Sequence, residues 1–327
     1  MRRSRLWVLV ALVGAAVLGC QSCPALAFDL QGHRGARALA PENTLPAFAL
    51  ALEIGVTTLE TDLAVTRDDV LVLSHDPALN PALTRNASGQ WLPAKGPAIR
   101  ALTLAELKAY DVGRIDPAHP YARQFPNQTP VDGTSIPTLD ELFALAAASG
   151  KTPRFNVETK ITPDAAVETP DPETFARLVV TAVRAAKLEQ RTTLQSFDWR
   201  TLIAARKLAP EIETSCLTIE AKGLNTIAAT ATGPSRWLGG FDPAAHGNSI
   251  PRTAKAAGCS TWSPFWRNLT AENVAEAQAL GLKVLPWTVN GETDIASVIA
   301  LGVDGLITDD PTIARGILQH RGLTLSR

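Results

Sequence analysis

From residue 28 onward the chain alternates short apolar runs with longer stretches in which apolar positions recur at helical spacing. The runs at 28–33, 58–65, 154–158, 192–197, 213–219, 259–263, 283–289 and 305–308 have the length of strands. Between most of them lie helical patterns, at 45–54, 172–187, 199–208, 271–280 and 294–301, many of them ending at a glycine. Strict alternation predicts a parallel sheet, because each parallel neighbour requires a crossover. Eight such units predict an α/β fold closed into a (β/α)8 TIM barrel rather than an open sheet. Residues 221–240 carry no clear pattern.

One interval breaks the rhythm. An apolar run through Val70 and Leu73 returns from the second strand to Ser74 and His75. The following stretch, about 77–136, is rich in Pro, Asn and Gly, with one predicted helix at 104–110. A loop of that length reads as an insertion after the second strand. Lying over the barrel mouth, it would restrict what the barrel can admit.

The beginning of the chain has a different character. Arg2, Arg3 and Arg5 precede an apolar run that reaches about Cys20, followed by Ala25-Leu26-Ala27. Residues 1–27 therefore read as a secretory leader, and 28–327 as one mature domain. The apolar run is shorter than a spanning helix requires, so stable membrane insertion is not expected. The expected location is periplasmic or secreted. Val17-Leu18-Gly19-Cys20 resembles a lipobox, so lipid anchoring through Cys20 is an alternative.

Composition adds limits. A hydrophobic content of 46% supports a large core, and a net charge of −1 gives no electrostatic case for nucleic acid or an anionic membrane. Cys216 and Cys259 fall on neighbouring predicted strands, either as buried thiols or as a bridge.

In a barrel of this kind, the carboxyl ends of the strands converge on one face. His33 and Arg34 end the first strand, between Gly32 and Gly35 that would let a ligand approach closely. Glu60 and Asp62 end the second, and strand alternation points both to one side. Glu158 and Lys160 close the third with the same spacing. Three carboxylates without a His or Cys cluster suit one hard divalent cation, Mg²⁺ or Ca²⁺, better than zinc. Arg34 and Lys160 beside them favour an anionic ligand, although Lys160 could equally be an ion-pair partner of Glu60 or Asp62. Metal, cations and histidines together point to metal-assisted cleavage of a phosphate ester. Phe197 and Trp287, at strand ends, are candidate pocket walls. Glu42, Asn43 and Thr44 read as the structural start of the next helix.

Several of these pieces, taken in order, resemble one family. His33-Arg34-Gly35, Pro41-Glu42-Asn43-Thr44, Glu60-Thr61-Asp62, Ser74-His75-Asp76 and Glu158-Thr159-Lys160 are similar to the motifs of glycerophosphodiester phosphodiesterases. Gln195-Ser196-Phe197-Asp198, Trp287-Thr288-Val289-Asn290 and the segment from Gly302 to Asp309 extend the likeness over about 30–312. The resemblance implies a (β/α)8 barrel, a divalent metal on Glu60, Asp62 and Glu158, and His33 and His75 as the acid–base pair. It implies hydrolysis of a small-molecule glycerophosphodiester to sn-glycerol 3-phosphate and an alcohol, with the roles of the two histidines open. The segment Trp262-Ser263-Pro264-Phe265-Trp266 matches no family signature. A shallow cluster of Trp262, Phe265 and Trp266 would fit the alternative of a phospholipase D-like or phosphoinositide-type lipase. A non-catalytic barrel that binds phosphorylated polyols is the alternative of another class.

Overall fold

The computed structural model describes residues 27–164, 168–231 and 233–326. Residues 1–26, which hold all of the predicted leader but Ala27 and include Cys20, lie outside the described residues.

Eight parallel strands form the barrel wall: β1 (Asp29–Gly32), β2 (Thr58–Val65), β4 (Arg154–Thr159), β5 (Thr192–Ser196), β6 (Glu213–Thr218), β9 (Thr261–Pro264), β10 (Lys283–Val284) and β11 (Gly305–Thr308). They are adjacent in that order, and β1 pairs in parallel with β11. The β10–β11 joint is carried by three backbone–backbone hydrogen bonds, Asp304 N to Val284 O, Ile307 N to Pro286 O and Val289 N to Ile307 O, at 3.1, 2.9 and 2.9 Å. The run predicted at 283–289 is a regular strand only at its start, because Pro286 has no N–H for the ladder. β3 (Leu71–Leu73) returns antiparallel along β2, and β7 (Glu220–Ala221) with β8 (Leu224–Asn225) makes a small hairpin beyond β6.

Helices α1 (Leu45–Ile54), α3 (Leu139–Ala148), α4 (Pro172–Ala185), α5 (Trp199–Leu208), α6 (Ile250–Ala257), α7 (Ala271–Ala279), α8 (Glu292–Ala300) and α9 (Pro311–His320) accompany the strands. α1 starts where Thr44 Oγ1 accepts from Ala47 N, and ends at Gly55 in the left-handed region at φ 88°. Every residue of β2 is buried. Leu59 and Leu63 join Phe48 of α1 and Leu142 of α3 in the main core, so alternation turns Glu60 and Asp62 the other way, into the barrel.

The insertion lies between β3 and α3. It builds a second small core in which Leu79, Ile99, Leu107 and Ile136 pack on Ala64 and Val72. Its helix α2 (Leu104–Leu107) is shorter than predicted, though closed by a capping box between Thr103 and Glu106.

Cys216 of β6 and Cys259, just before β9, form a disulfide across 43 residues of sequence. Both are buried, so the bridge joins two neighbouring barrel units within the core. Replacing both cysteines by serine is expected to lower unfolding stability by about 2–4 kcal/mol. Denaturant unfolding with and without reductant checks this: reductant should destabilise the native protein and leave the double variant unchanged.

Candidate active site

A tight turn follows β1. Gly35 N donates to Gly32 O at 3.2 Å, and Arg34 at φ 50° and Asn43 at φ 54° hold left-handed backbone that non-glycine residues seldom adopt. A Cβ on Gly35 would meet the backbone of Ala47 at 2.7 Å, and one on Gly32 would meet Gly35 O at 2.3 Å. The space that these glycines provide is thus filled by the turn itself and by α1. They let the protein pack on itself, which corrects the expectation that they admit a ligand.

The turn aims two side chains inward. His33 Nδ1 donates to Asp309 Oδ1 at 2.6 Å. Asp309 also accepts from Arg37 Nε and Nη2 at 2.8 and 3.0 Å and from Asn290 Nδ2 at 2.6 Å. With Nδ1 committed to an ionised carboxylate, His33 presents Nε2 to the cavity, 3.9 Å from Glu60 Oε2. Burial, reinforced by Arg37 and opposed by Asp309, pushes the imidazole down to about 4. His33 is therefore neutral near pH 7 with a free lone pair.

His75 arrives from the other side. β3 runs back along β2, Ser74 N donates to Asp62 O at 3.0 Å, and His75 follows above the acids. Its Nδ1 lies 2.9 Å from Asp76 Oδ1, and its side chain is 37% exposed. Burial and then the charges of Arg34 and Lys160 lower its pKa, against Asp62 and Asp76.

Glu60, Asp62 and Glu158 are buried, and one oxygen from each lies within 4.8 Å of the others. Crowding shows in their titration. Burial, despite Lys160 and together with Asp62, pushes Glu158 up to about 7. Burial and then Asp62 raise Glu60 well above the carboxylate range. Burial would also raise Asp62, but Arg34 and Lys160 overcome it and hold that group ionised. Asp62 Oδ1 is buried and accepts no hydrogen bond. Three clustered oxygens, two of them reluctant to ionise and one left without a donor, fit a hard divalent cation.

The acids are oriented from beneath by a chain of amides through the barrel interior. Gln31 Nε2 donates to Asp29 at 2.7 Å, and Asn156 Nδ2 donates to Gln31 Oε1 and Gln195 Oε1 at 2.8 and 3.0 Å. This fixes the Gln195 amide so that Nε2 donates to Glu60 Oε1 at 2.8 Å. Arg34 N donates to the other oxygen at 2.9 Å.

Arg34 is itself engaged. Nη1 donates to Glu42 Oε1 at 2.5 Å, and Nε forms an ion pair with Asp62 Oδ2 at 3.0 Å. Asn43 donates to Asp62 Oδ2 and accepts from Thr61 Oγ1, each at 2.9 Å. The segment Glu42-Asn43 thus belongs to the framework of the site and does more than start α1, which corrects the sequence reading. Lys160 Nζ lies 2.8 Å from Glu158 Oε1 and 3.7 Å from Asp62 Oδ1, so its ion-pair role is with these two and not with Glu60.

Together these side chains surround a cavity of about 210 Å³, whose opposite wall is Phe197, Leu217, Trp287 and Ile307. Phe197 and Trp287 meet edge to face at 5.2 Å. Trp262 is 2% exposed, and its indole N–H donates to Thr218 Oγ1 at 2.9 Å, so it is a core residue and no part of a shallow surface cluster. The cavity lining includes no residue of 77–136, so the insertion makes no direct contact with the cavity. A larger groove of about 470 Å³ lies outside, between α4 and α5, and holds no converging histidines or acid cluster. Among the described residues, no helix is long and apolar enough to cross a membrane.

Sequence reasoning assigned no role to Asp309, Arg37 or Gln195. Asp309 had two signals, its place in the Gly302–Asp309 segment that resembles the family and its position immediately after β11, where functional groups collect. Arg37 lies in a turn with no such cue.

Comparison with known proteins gives consistent matches. The model of the glycerophosphoryl diester phosphodiesterase family matches residues 33–313. A glycerophosphodiester phosphodiesterase of Caldanaerobacter subterraneus subsp. tengcongensis is 26% identical over 89% of this chain and 97% of its own. A candidate glycerophosphoryl diester phosphodiesterase of Silicibacter pomeroyi DSS-3, known from its crystal structure, is 36% identical over 92% of this chain and 96% of that one, with a TM-score of 0.80. The fold is also shared with an Oleispira antarctica phosphodiesterase crystallised with the product sn-glycerol-3-phosphate, at 22% identity over 90% of this chain and 97% of that one, and a TM-score of 0.63.

Proposed function

Because the chain belongs to the glycerophosphoryl diester phosphodiesterase family and is a phosphoric diester hydrolase, we propose that it cleaves glycerophosphodiesters to sn-glycerol 3-phosphate and an alcohol by metal-dependent catalysis with His33 and His75. The observation that carries the reading is the meeting of both imidazoles with Glu60, Asp62, Glu158, Arg34 and Lys160 around one cavity. The product bound by the Oleispira antarctica neighbour supports the choice of ester.

Glu60, Asp62 and Glu158 would hold one Mg²⁺ or Ca²⁺, which supplies Lewis-acid polarisation of a phosphoryl oxygen. His33, neutral and oriented by Asp309, takes a proton at Nε2 from the nucleophile, which is either water or the neighbouring hydroxyl of the substrate; the hydroxyl gives a cyclic phosphate that a water then opens to sn-glycerol 3-phosphate. His75 gives a proton to the oxygen of the departing alcohol. Its exposure and its Asp76 partner suit it to carrying that proton. A bound phosphodiester anion also offsets the Arg34 and Lys160 charges that lower its pKa. Lys160 adds positive charge beside the phosphate, and Phe197 and Trp287 form the apolar wall. The complete set of acids and histidines favours hydrolysis over passive binding of a polyol phosphate. The lipase alternative loses Trp262 to the core.

The test is release of glycerol phosphate from glycerophosphocholine, with and without a chelator. Full activity after exhaustive chelation, in protein free of bound metal, would refute the metal-dependent reading. The amide chain adds a finer expectation. Asn156→Leu frees the Gln195 amide to turn, and should weaken Ca²⁺ binding about 10–100-fold, read by calorimetric titration.

We further propose that the protein works in an oxidising, exported compartment. The Cys216–Cys259 bridge supports this, since such bonds persist there and are rare in a reducing cytosol.

A further inference from the structure

The insertion lines none of the cavity, yet one of its side chains reaches the framework beneath it. Tyr121 lies in a short turn, Pro120–Gln124, that starts where His119 Nδ1 accepts from Tyr121 N. Its hydroxyl donates to Glu42 Oε2 and lies 3.5 Å from Arg37 Nη1. Two branches leave from these contacts. Glu42 holds Arg34, which in turn meets Asp62 through its guanidinium and Glu60 through its backbone N–H. Arg37 holds Asp309, which orients His33. One hydroxyl therefore touches both the branch that leads to the acid cluster and the branch that leads to the imidazole.

The turn is tied down around Arg37. The guanidinium sits 4.8 Å over the Phe125 ring, which meets Tyr121 edge to face at 5.2 Å. Gln128 Nε2 donates to Arg37 O at 2.7 Å, and Thr129 N donates to Leu39 O at 2.9 Å. Burial and the adjacent Glu42 carboxylate push the phenol well above its ordinary value, so the hydroxyl remains a donor.

We propose that Tyr121 is a positioning residue for diester hydrolysis, through which the insertion locks the Arg34 and Arg37 branches into the geometry that the reaction needs. The inference rests on the reading of the site given above. It predicts that the insertion acts on turnover rather than by contact with the alcohol.

Tyr121→Phe keeps the ring and its packing and removes only the hydroxyl. With glycerophosphocholine as substrate, kcat should fall about ten- to a hundredfold, the range for losing a hydrogen bond to a charged group. KM should stay within about threefold and the melting temperature near that of the native protein. In a Glu42→Gln background the same change should cost less than it does in the native protein, because the Glu42 branch is already broken and only the Arg37 branch is left to lose. A Tyr110→Phe variant, which removes the insertion's other phenol hydroxyl from the second small core, should retain the native turnover.

Unchanged kcat in Tyr121→Phe overturns the proposal. So do a rise in KM alone, full additivity with Glu42→Gln, or an equal loss in Tyr110→Phe. A readout independent of turnover separates this inference from the proposed reaction: the Nδ1–H proton resonance of His33, which should shift in Tyr121→Phe. Absence of hydrolysis by the native protein would refute the reaction, while an unmoved His33 resonance would refute the role of Tyr121.

Discussion

Turnover of a His33→Ala protein is expected to be about 10²–10⁴-fold below native, the usual contribution of a positioned proton-transfer group. Folding should survive, because the change leaves no buried charge unpaired. Asp309 keeps Arg37 and Asn290 as donors when the imidazole is gone. His75→Ala should lose turnover on the same scale, with Asp76 still held by Asn80 Nδ2 at 2.6 Å. The pH profile carries a sign that can be checked in the native protein. A base must be unprotonated to act, so activity is lost as the pH falls through its folded pKa. Since His33 is pushed down to about 4, the acid limb of kcat/KM should lie well below the ordinary histidine value of 6.5. Near-native turnover in His33→Ala would mean that the imidazole is only a hydrogen-bonding strut.

Glu158→Gln should be as severe. The substitution keeps size and hydrogen-bonding capacity but removes one of the three charges that would hold the cation. Lys160 retains Asp62 at 3.7 Å, so the site does not lose all its internal pairing. Polarisation by a metal contributes several kcal/mol to the transition state, and each 1.36 kcal/mol is tenfold in rate. The variant should therefore lose about 10³-fold in turnover. Calorimetric titration should show weakened binding of Mg²⁺ and Ca²⁺ in parallel. Native metal affinity with lost activity would instead assign Glu158 to the substrate.

The parts of this architecture that were legible in sequence were those set by local rules. Strand–helix alternation implied the barrel, and alternation within β2 paired Glu60 with Asp62. Strand ends pointed to His33, Glu158 and Lys160, and the apolar run before Ser74 brought His75 back. Failures arose where partners meet across long stretches of chain. His33 and Asp309 are separated by 276 residues, and Glu42 and Tyr121 by 79, so no periodicity links them. Glu42 and Asn43 looked sufficient as a helix start, which hid their bonds to Arg34 and Asp62. Helix α3 was missed although it had a written signal: Thr138 and Glu141 form a capping box. Short α6 likewise lies between Ser249 and Gly258, its two caps. In both cases punctuation was present, but the neighbouring irregular segments weakened the periodic pattern.

The barrel wall is not uniformly bonded, and Pro286 decides where it is thinnest. β2 is tied to β4 by a six-residue register, whereas the β10–β11 joint rests on three backbone–backbone bonds around a residue that cannot donate. Local opening draws on the segments with the fewest backbone links. Amide protons of Val289, Asp304 and Ile307 should therefore exchange with solvent long before those of β4. Trp287 and Thr288 lie beside that joint and line the cavity. The barrel should thus open first along a line that borders its cavity, with the acid-bearing strands on the side that stays shut.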